Sequence, residues 1–502
     1  MTTNVKEMEV SQLEPAAVWK YFSGIAATPR PSKREELIRQ HVKTAAQDAG
    51  LTVRADAAGN LVVDVPATPG HEAAEITVLQ AHLDMVGEKD GGSQHDFDRD
   101  PIQLRVEDDA EGGGLVVRAS GTTLGADNGI GVAMALAAST SKDVVHGPLE
   151  LLFTVDEEAG MSGAKALGAD SFRGRRMVNL DSEEDDTIYI GCAGGSDSTL
   201  SWGLRPQRVD FGSEFVSIDV SGLRGGHSGG DIHENRANAI KLLVRALQHA
   251  GVDELRLAAL TGGNLRNAIP REASAVVCCA KGAIQLLLKS ADKVAREAAI
   301  ESAEADVSIS ARAVSIPRNT KPLGTEDSRR VLDVLAAIPH GVLGMHPRLE
   351  GLVETSSNLA SVTWTARGGG DGVGLVANAL SRSSCFSRLR ETLDQIAAIG
   401  RLSGARVENA NDYPGWEPNP DSRLLKSCTA VYEKTFGAPP VVAAIHAGLE
   451  CGVIGDRVGG LDTVSFGPRI VGAHSPVERV YVKSVQKCWQ FLRAVLAELA
   501  RK

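Results

Sequence analysis

Short, almost wholly apolar runs that end abruptly in acidic residues recur along this chain, and they narrow its fold more than any other feature. Three of them are "ITVLQAHLDMV" (Ile76 to Val86), "LLFTVDEEAGMSG" (Leu151 to Gly163) and "RRMVNLDSEED" (Arg175 to Asp185). A strand that is apolar at consecutive positions has both faces covered, which predicts a largely parallel sheet between helices. Helical segments fall between the runs. "LGADNGIGVAMALAAST" enters from a glycine-rich turn and continues apolar from Ile130 to Ala138. From Pro15 to Gly50 the apolar spacing predicts two helices joined by a proline-rich turn, with Ser32 as N-cap and Glu35 as its capping-box partner. "LTVRADAAGNLVVDVPA" predicts a β-hairpin turning near Gly59 and Asn60.

Strands and helices alternate in this way to about Cys192, an α/β pattern. The texture then changes. From roughly Gly194 to Asn409, alternating runs such as "FVSIDVSGL" and "ASAVVCCA" mix with helical "NAIKLLVRALQHA" and "SRRVLDVLAAI", an α+β pattern. "NDYPGWEPNPDSRLL" resembles a linker, and helices return in "TAVYEKTF" and "VQKCWQFLRAVLAELA". With 502 residues the chain exceeds what one core usually organises. The expected division is an α/β domain in two segments, 1–193 and 410–502, with an inserted α+β domain over 194–409. Its sheet is expected to be mixed but largely parallel, flanked by helices.

A net charge of -11 leaves no excess of Lys and Arg to displace counterions from phosphate, so nucleic acid is not an expected partner. The seven cysteines form no CxxC pair and are odd in number, which suits a reducing compartment rather than a disulfide framework. With neither a signal-peptide pattern nor an apolar run long enough to span a bilayer, the expectation is a cytoplasmic protein with no membrane partner.

The acidic strand ends carry the chemistry. His82 and Asp84 lie two apart, so on an extended strand they share a face, and Asp84 can accept the free ring N–H of His82. Asp127 sits at a glycine-rich turn, Glu157 and Glu158 end the next strand, Asp181 the one after, and His474 lies in "GAHSPVERV". Each motif alone reads as a strand-end ion pair or a solvated charge run. Together they are nitrogen and carboxylate donors without thiolate, which suits zinc, with manganese or cobalt as relatives. Several converging carboxylates repel one another unless cations are present, so two divalent ions sharing a bridging carboxylate are a natural arrangement. If Glu157 and Glu158 are extended they point apart, one to ligate and one to act as a base, while Asp156 is left to the turn or to solvent.

The strings "QAHLDMVGEK", "GTTLGADNGIGVAMALA", "LLFTVDEEAGMSGA", "VNLDSEED", "GGHSGGDIHENRANA", "RNAIPREA", "ETSSNLASV", "DYPGWEPN", "IHAGLECG" and "GAHSPVERV" resemble, in order, those of the M20 metallopeptidases, and within them the aminoacyl-histidine dipeptidases. The resemblance implies a two-metal catalytic domain with an inserted lid, hydrolysing unblocked dipeptides, including those with C-terminal His. It implies that His82 and Asp181 hold one metal, that Glu158 and His474 hold the other, and that Asp127 bridges them. Asp84 would orient His82, and Glu157 would be the general base. His227 would donate to the oxyanion when the lid closes, with Asn267 and Arg382 holding the peptide and its terminal carboxylate. Ala473 stands where some relatives have proline. His446 and Glu450 of "IHAGLECG" line the pocket in this comparison without an assigned role. Kinship also implies a homodimer. The competing readings are another M20 amidohydrolase, a tripeptidase or deacylase, and a metal-binding protein without catalysis. The long lid and "HAGLECG" count against the first, and an intact Glu157 against the second.

Overall fold

The computed structural model describes residues 9–109, 113–209, 212–302, 304, 306–316, 320–366 and 372–501. The chain forms two compact units: one of residues 1–191, 416–444 and 449–502, the other of 192–415 and 445–448.

The first unit is built on an eight-stranded sheet. Its strand order is Thr52–Ala55, Leu61–Val65, Leu149–Thr154, Thr77–His82, Arg176–Asn179, Asp462–Ser465, Thr187–Cys192, Val441–Ile445. Four neighbouring strands, Leu149–Thr154, Thr77–His82, Arg176–Asn179 and Asp462–Ser465, run parallel. The hairpin on one side and the strand Thr187–Cys192 on the other join antiparallel. The sheet is thus mixed with a parallel centre. Leu149–Thr154 and Thr77–His82 are buried at every position, so each large apolar side chain there stabilises the fold by roughly 1.5–3 kcal/mol relative to exposure. The helix Ala126–Thr140 packs on Thr77–His82 and against the helix Ala16–Ala26, with Trp19, Phe22 and Ile25 fully buried.

All four parallel strands point the same way, so their carboxyl ends bring His82, Thr154, Asn179 and Ser465 to one edge of the sheet. Open parallel sheets bind ligands at that edge. Their amino ends, at Thr77, Leu149, Arg176 and Asp462, form the opposite edge.

The second unit centres on a nine-stranded antiparallel sheet whose long middle pair is Val353–Ala366 and Val373–Ser383. Helices Ala239–Gln248, Ile284–Glu301, Thr325–Ala337 and Phe386–Ser403 contribute to its core, through Leu243, Val294, Leu335 and Ile396 among others. The segment expected to be a linker begins inside this sheet, because the strand Arg406–Tyr413 includes Asn411 to Tyr413. A second return, at 445–448, had no signal in the sequence.

One local expectation fails. The helix Glu36–Asp48 has Glu35, not Ser32, as N-cap. The Ser32 hydroxyl instead donates to Asp84 Oδ2 at 2.7 Å, and Glu35 Oε1 accepts from the amides of Lys33 and Asp156 at 2.8 and 3.0 Å. Both side chains serve the sheet edge rather than their own helix.

Candidate functional site

His82 is the last residue of its strand and is fully buried. Its Nε2 lies 3.0 Å from Asp127 Oδ1 and 3.3 Å from Asp181 Oδ1, and its Nδ1 lies 3.4 Å from Asp84 Oδ1. His474 Nε2 lies 3.2 Å from Asp127 Oδ2 and 3.0 Å from Glu158 Oε2. Asp127 therefore faces one histidine with each of its two oxygens. Donor atoms of His82, Asp127 and Glu158 all fall within 4.8 Å of one another. The structure brings Asp84, Asp127, Glu158, Asp181, His82 and His474 to one place, from five separate stretches of the first unit.

Local backbone explains how each side chain gets there. Regular helical geometry begins only after Asn128: Asp127 has φ -77° and ψ 112°, Asn128 has φ -106° and ψ 30°, and the peptide between them is cis. The carboxylate thus leaves the chain ahead of the helix. Asn128 Nδ2 donates to Leu180 O at 2.8 Å, which ties this turn to the strand end carrying Asp181. Gly131 permits the close approach, since a Cβ there would sit 2.5 Å from Asn128 Oδ1 and 2.6 Å from Leu180 O.

Two residues that the sequence did not single out brace the same turn. Glu478 accepts from the amides of Leu124, Gly125, Ala126 and Asp127 at 2.7, 2.9, 2.8 and 3.4 Å. Arg30, buried, donates to the carbonyls of Leu83 and Asp84 at 2.9 and 2.8 Å and to that of Gly125. A buried Glu and a buried Arg are rare enough in sequence context to be flagged only once burial is known.

"DEE" is not extended. Asp156 takes φ 57° and Glu157 and Glu158 open a short helix, Glu157–Gly160. Their amides donate to Asp84 Oδ1 and Oδ2 at 3.0 and 3.2 Å. They diverge by helical rotation, not by strand alternation. Asp156 belongs to the turn but not to solvent: it is buried and accepts from the Ser162 hydroxyl at 2.5 Å.

The electrostatics are those of a site short of positive charge. Burial alone would lower His82, but Asp181, Asp127 and Asp84 hold its pKa well above the ordinary value. Hydrogen bonds to Asp127 and Glu158 push His474 up to about 11. Burial raises Asp181 to about 6 despite His82. Burial also carries Glu157 well upward; His82 pulls against it, and Asp181, Glu450 and Glu158 add to the rise. Asp84 is pressed up by burial, yet hydrogen bonds from His82, Ser32 and the Glu157 amide hold it at about 2. Glu158 Oε1 is buried without a hydrogen-bond partner, and Asp181 Oδ1 has only the His82 ring, at 3.3 Å. Such under-satisfied carboxylate oxygens beside imidazoles, with no thiolate present, fit hard or borderline divalent cations.

Glu450 is also buried in this unit. Its Oε2 accepts from Gln80 and Thr154 at 2.7 and 2.6 Å, and burial raises its pKa to about 8.

In the second unit, His227 pairs with Ala268 across a two-stranded ladder, and Asn267 O accepts from the Ser228 amide at 2.8 Å, so His227 and Asn267 are neighbours. The amides of Gly229 and Gly230 donate to His227 Nδ1 at 3.3 and 3.0 Å, which leaves the ring proton on Nε2. Arg382 is buried, donates to the Tyr413 hydroxyl at 2.6 Å and leaves its Nε unpartnered. Among the described residues it has no carboxylate partner. His446 is buried and its Nε2 lies 2.7 Å from Ser356 Oγ. Burial, with Arg382 adding to it, lowers its pKa to about 3.

Residues 78–498 match the model of peptidase family M20/M25/M40. The cytosol non-specific dipeptidase of Escherichia coli (strain K12) is 39% identical over 495 residues, which is 98% of this chain and 100% of that protein. The crystal structure of aminoacylhistidine dipeptidase from Vibrio alginolyticus superposes with a TM-score of 0.89 at 39% identity, covering 97% of this chain and 98% of that one. Aminopeptidase PepT from Bacillus cereus shares the fold at a TM-score of 0.61 and 16% identity, over 97% of this chain and 99% of that one. No helix among the described residues is long and apolar enough to cross a membrane.

Proposed function

Because the chain belongs to the M20/M25/M40 peptidase family and is a hydrolase of that family, we propose that it is a two-metal dipeptidase acting on unblocked dipeptides, including those with C-terminal His. The observation that carries this is Asp127 offering one oxygen to each histidine, with carboxylates of Asp181 and Glu158 beside them. His82 and Asp181 would hold one ion, Glu158 and His474 the other, and Asp127 both. Zinc is the expected metal, with manganese and cobalt as substitutes. When bound, such ions supply Lewis acidity toward the scissile carbonyl and toward a water.

The chain's own groups do the rest. Glu157, whose amide is fixed on Asp84, takes the proton of the attacking water and delivers it to the leaving amine. Asp84 also fixes the tautomer of His82 through Nδ1. His227, with its proton on Nε2, is the proposed oxyanion donor. Arg382, a buried guanidinium lacking an anion, is the proposed partner of the substrate's terminal carboxylate, with Asn267 holding the peptide. A homodimer is a further proposal from kinship.

Replacing Glu157 by Gln is the test. Turnover of a dipeptide should fall by about 10²–10⁴-fold with bound metal unchanged, as expected for loss of a general base. Retained turnover would refute the assignment, and activity confined to tripeptides or acylated amino acids across a substrate panel would refute the dipeptidase.

A further inference from the structure

The opposite edge of the first unit's sheet carries a second concave feature. A cavity of about 810 Å³ opens at the amino ends of the parallel strands, between the start of the helix Arg423–Phe436 and the end of the helix Val482–Leu499. That volume lies within the range of small-molecule sites. In a protein of net charge -11, its lining is basic: Arg173, Arg175, Arg176, Arg423, Lys426 and Lys434, against Glu75, Asp462 and Glu498.

The acids in the wall are largely engaged elsewhere. Asp462 accepts from the Ser422 hydroxyl and, at 3.0 Å, from the Leu424 amide, so it caps the helix Arg423–Phe436. Glu498 lies 3.7 Å from Arg501, and Glu75 reaches Arg176 only at 3.8 Å. The cations are not all matched. Arg173 pairs with Glu150 and Asp64. Arg175 donates only to carbonyls, those of Ala169, Phe172, Arg173 and Gly174. Among the described residues, Arg423, Lys426 and Lys434 form no ion pair.

Arg176 is anchored in the cavity wall by the protein itself. Its guanidinium is buried, bonded to Thr77 Oγ1 at 2.8 Å and to the carbonyls of Glu75 and Leu499 at 2.6 and 3.1 Å. Its Nε and Nη2 are thus spent on the protein and its Nη1 faces Glu75, so the cations left free at the cavity wall, among the described residues, are Arg423, Lys426 and Lys434, whose three charges suit phosphate oxygens.

We propose that this cavity binds a small anion carrying two phosphate groups, at a site separate from the acidic centre. The two sites lie at opposite ends of six-residue strands, on the order of 20 Å apart.

The test is calorimetric titration of the metal-loaded enzyme with fructose 1,6-bisphosphate, and in parallel with inorganic phosphate, at about 0.15 M salt. Saturable one-to-one binding of the bisphosphate is expected, at least about tenfold tighter than inorganic phosphate. The double variant R423E/K426E, altered at two exposed positions, should weaken it by a further tenfold or more and leave dipeptide turnover unchanged. No saturable binding overturns the proposal. So does binding equal in the variant, which would place the anion at the metal centre, and so does binding no tighter than inorganic phosphate. If R423E/K426E fails to fold, R423Q/K426Q gives the same discrimination with a smaller loss.

Discussion

The two units are electrostatically incomplete in opposite senses. In the first, Asp127, Glu158 and Asp181 crowd around His82 and His474, and the buried Oε1 of Glu158 finds no donor. In the second, buried Arg382 finds a phenol and, among the described residues, no carboxylate, beside a histidine held neutral by burial. A folded chain tolerates such imbalance poorly unless a ligand of the missing sign restores it, because unpaired buried charge is costly. Anions without cations ask for metal. A cation without an anion is what the proposed partner of a substrate carboxylate requires.

The contrast can be broken in three ways. Asp127→Ala removes the carboxylate that faces both histidines, so the variant should lose bound metal together with at least about 10³-fold in turnover; elemental analysis beside kinetics checks this, and a variant that keeps both ions would show that Asp127 does not bridge. Arg382→Met should raise KM for free dipeptides by about 10–100-fold, as for loss of a charge-assisted bond, with kcat little changed. Because no carboxylate is stranded by the change, its melting temperature without substrate should not fall. A large loss of stability would mean that the guanidinium is structural and that the second unit is already complete.

The smallest effect concerns His340 of the second unit. Its Nδ1 lies 3.3 Å from the Asn238 amide nitrogen, and burial, with Lys241 nearby, lowers its pKa from 6.5 to about 3. A depressed folded value means that the unfolded chain binds a proton first. The stability contributed by neutral His340 is full above pH 6.5 and is lost as pH falls toward 3. His340→Gln should therefore flatten the fall of melting temperature across that window. An unchanged slope would show that the second unit's acid sensitivity lies elsewhere.

The sheet edge was legible from sequence because buried parallel strands leave a long apolar trace and their acidic ends interrupt it at once. Three such interruptions supplied His82, Asp84, Glu158 and Asp181, while Asp127 came from a glycine-rich turn and His474 from the string "GAHSPVERV". What supports them was not legible. Arg30 sits beside two prolines and Glu478 in a polar stretch, and each finds its partners far away along the chain. Ser32 and Glu35 obeyed a local capping pattern in the sequence, yet contacts with Asp84 and Asp156 outweighed it. Glu157 and Glu158 continued a strand pattern, but the left-handed turn at Asp156 broke it. In the second unit nothing in sequence distinguishes Arg382 from an exposed strand arginine, since only burial without an anion makes it unusual.

The brace at Glu478 also has a meaning in time. Four amides of the 124–127 turn are answered by a side chain more than 350 residues further along the chain, four residues beyond His474. A ribosome that has passed Asp181 has already joined Asp84, Asp127, Glu157, Glu158 and Asp181, but neither His474 nor the clasp that shapes the turn. The turn that presents Asp127 is clasped only when the chain returns to it 351 residues later along the sequence.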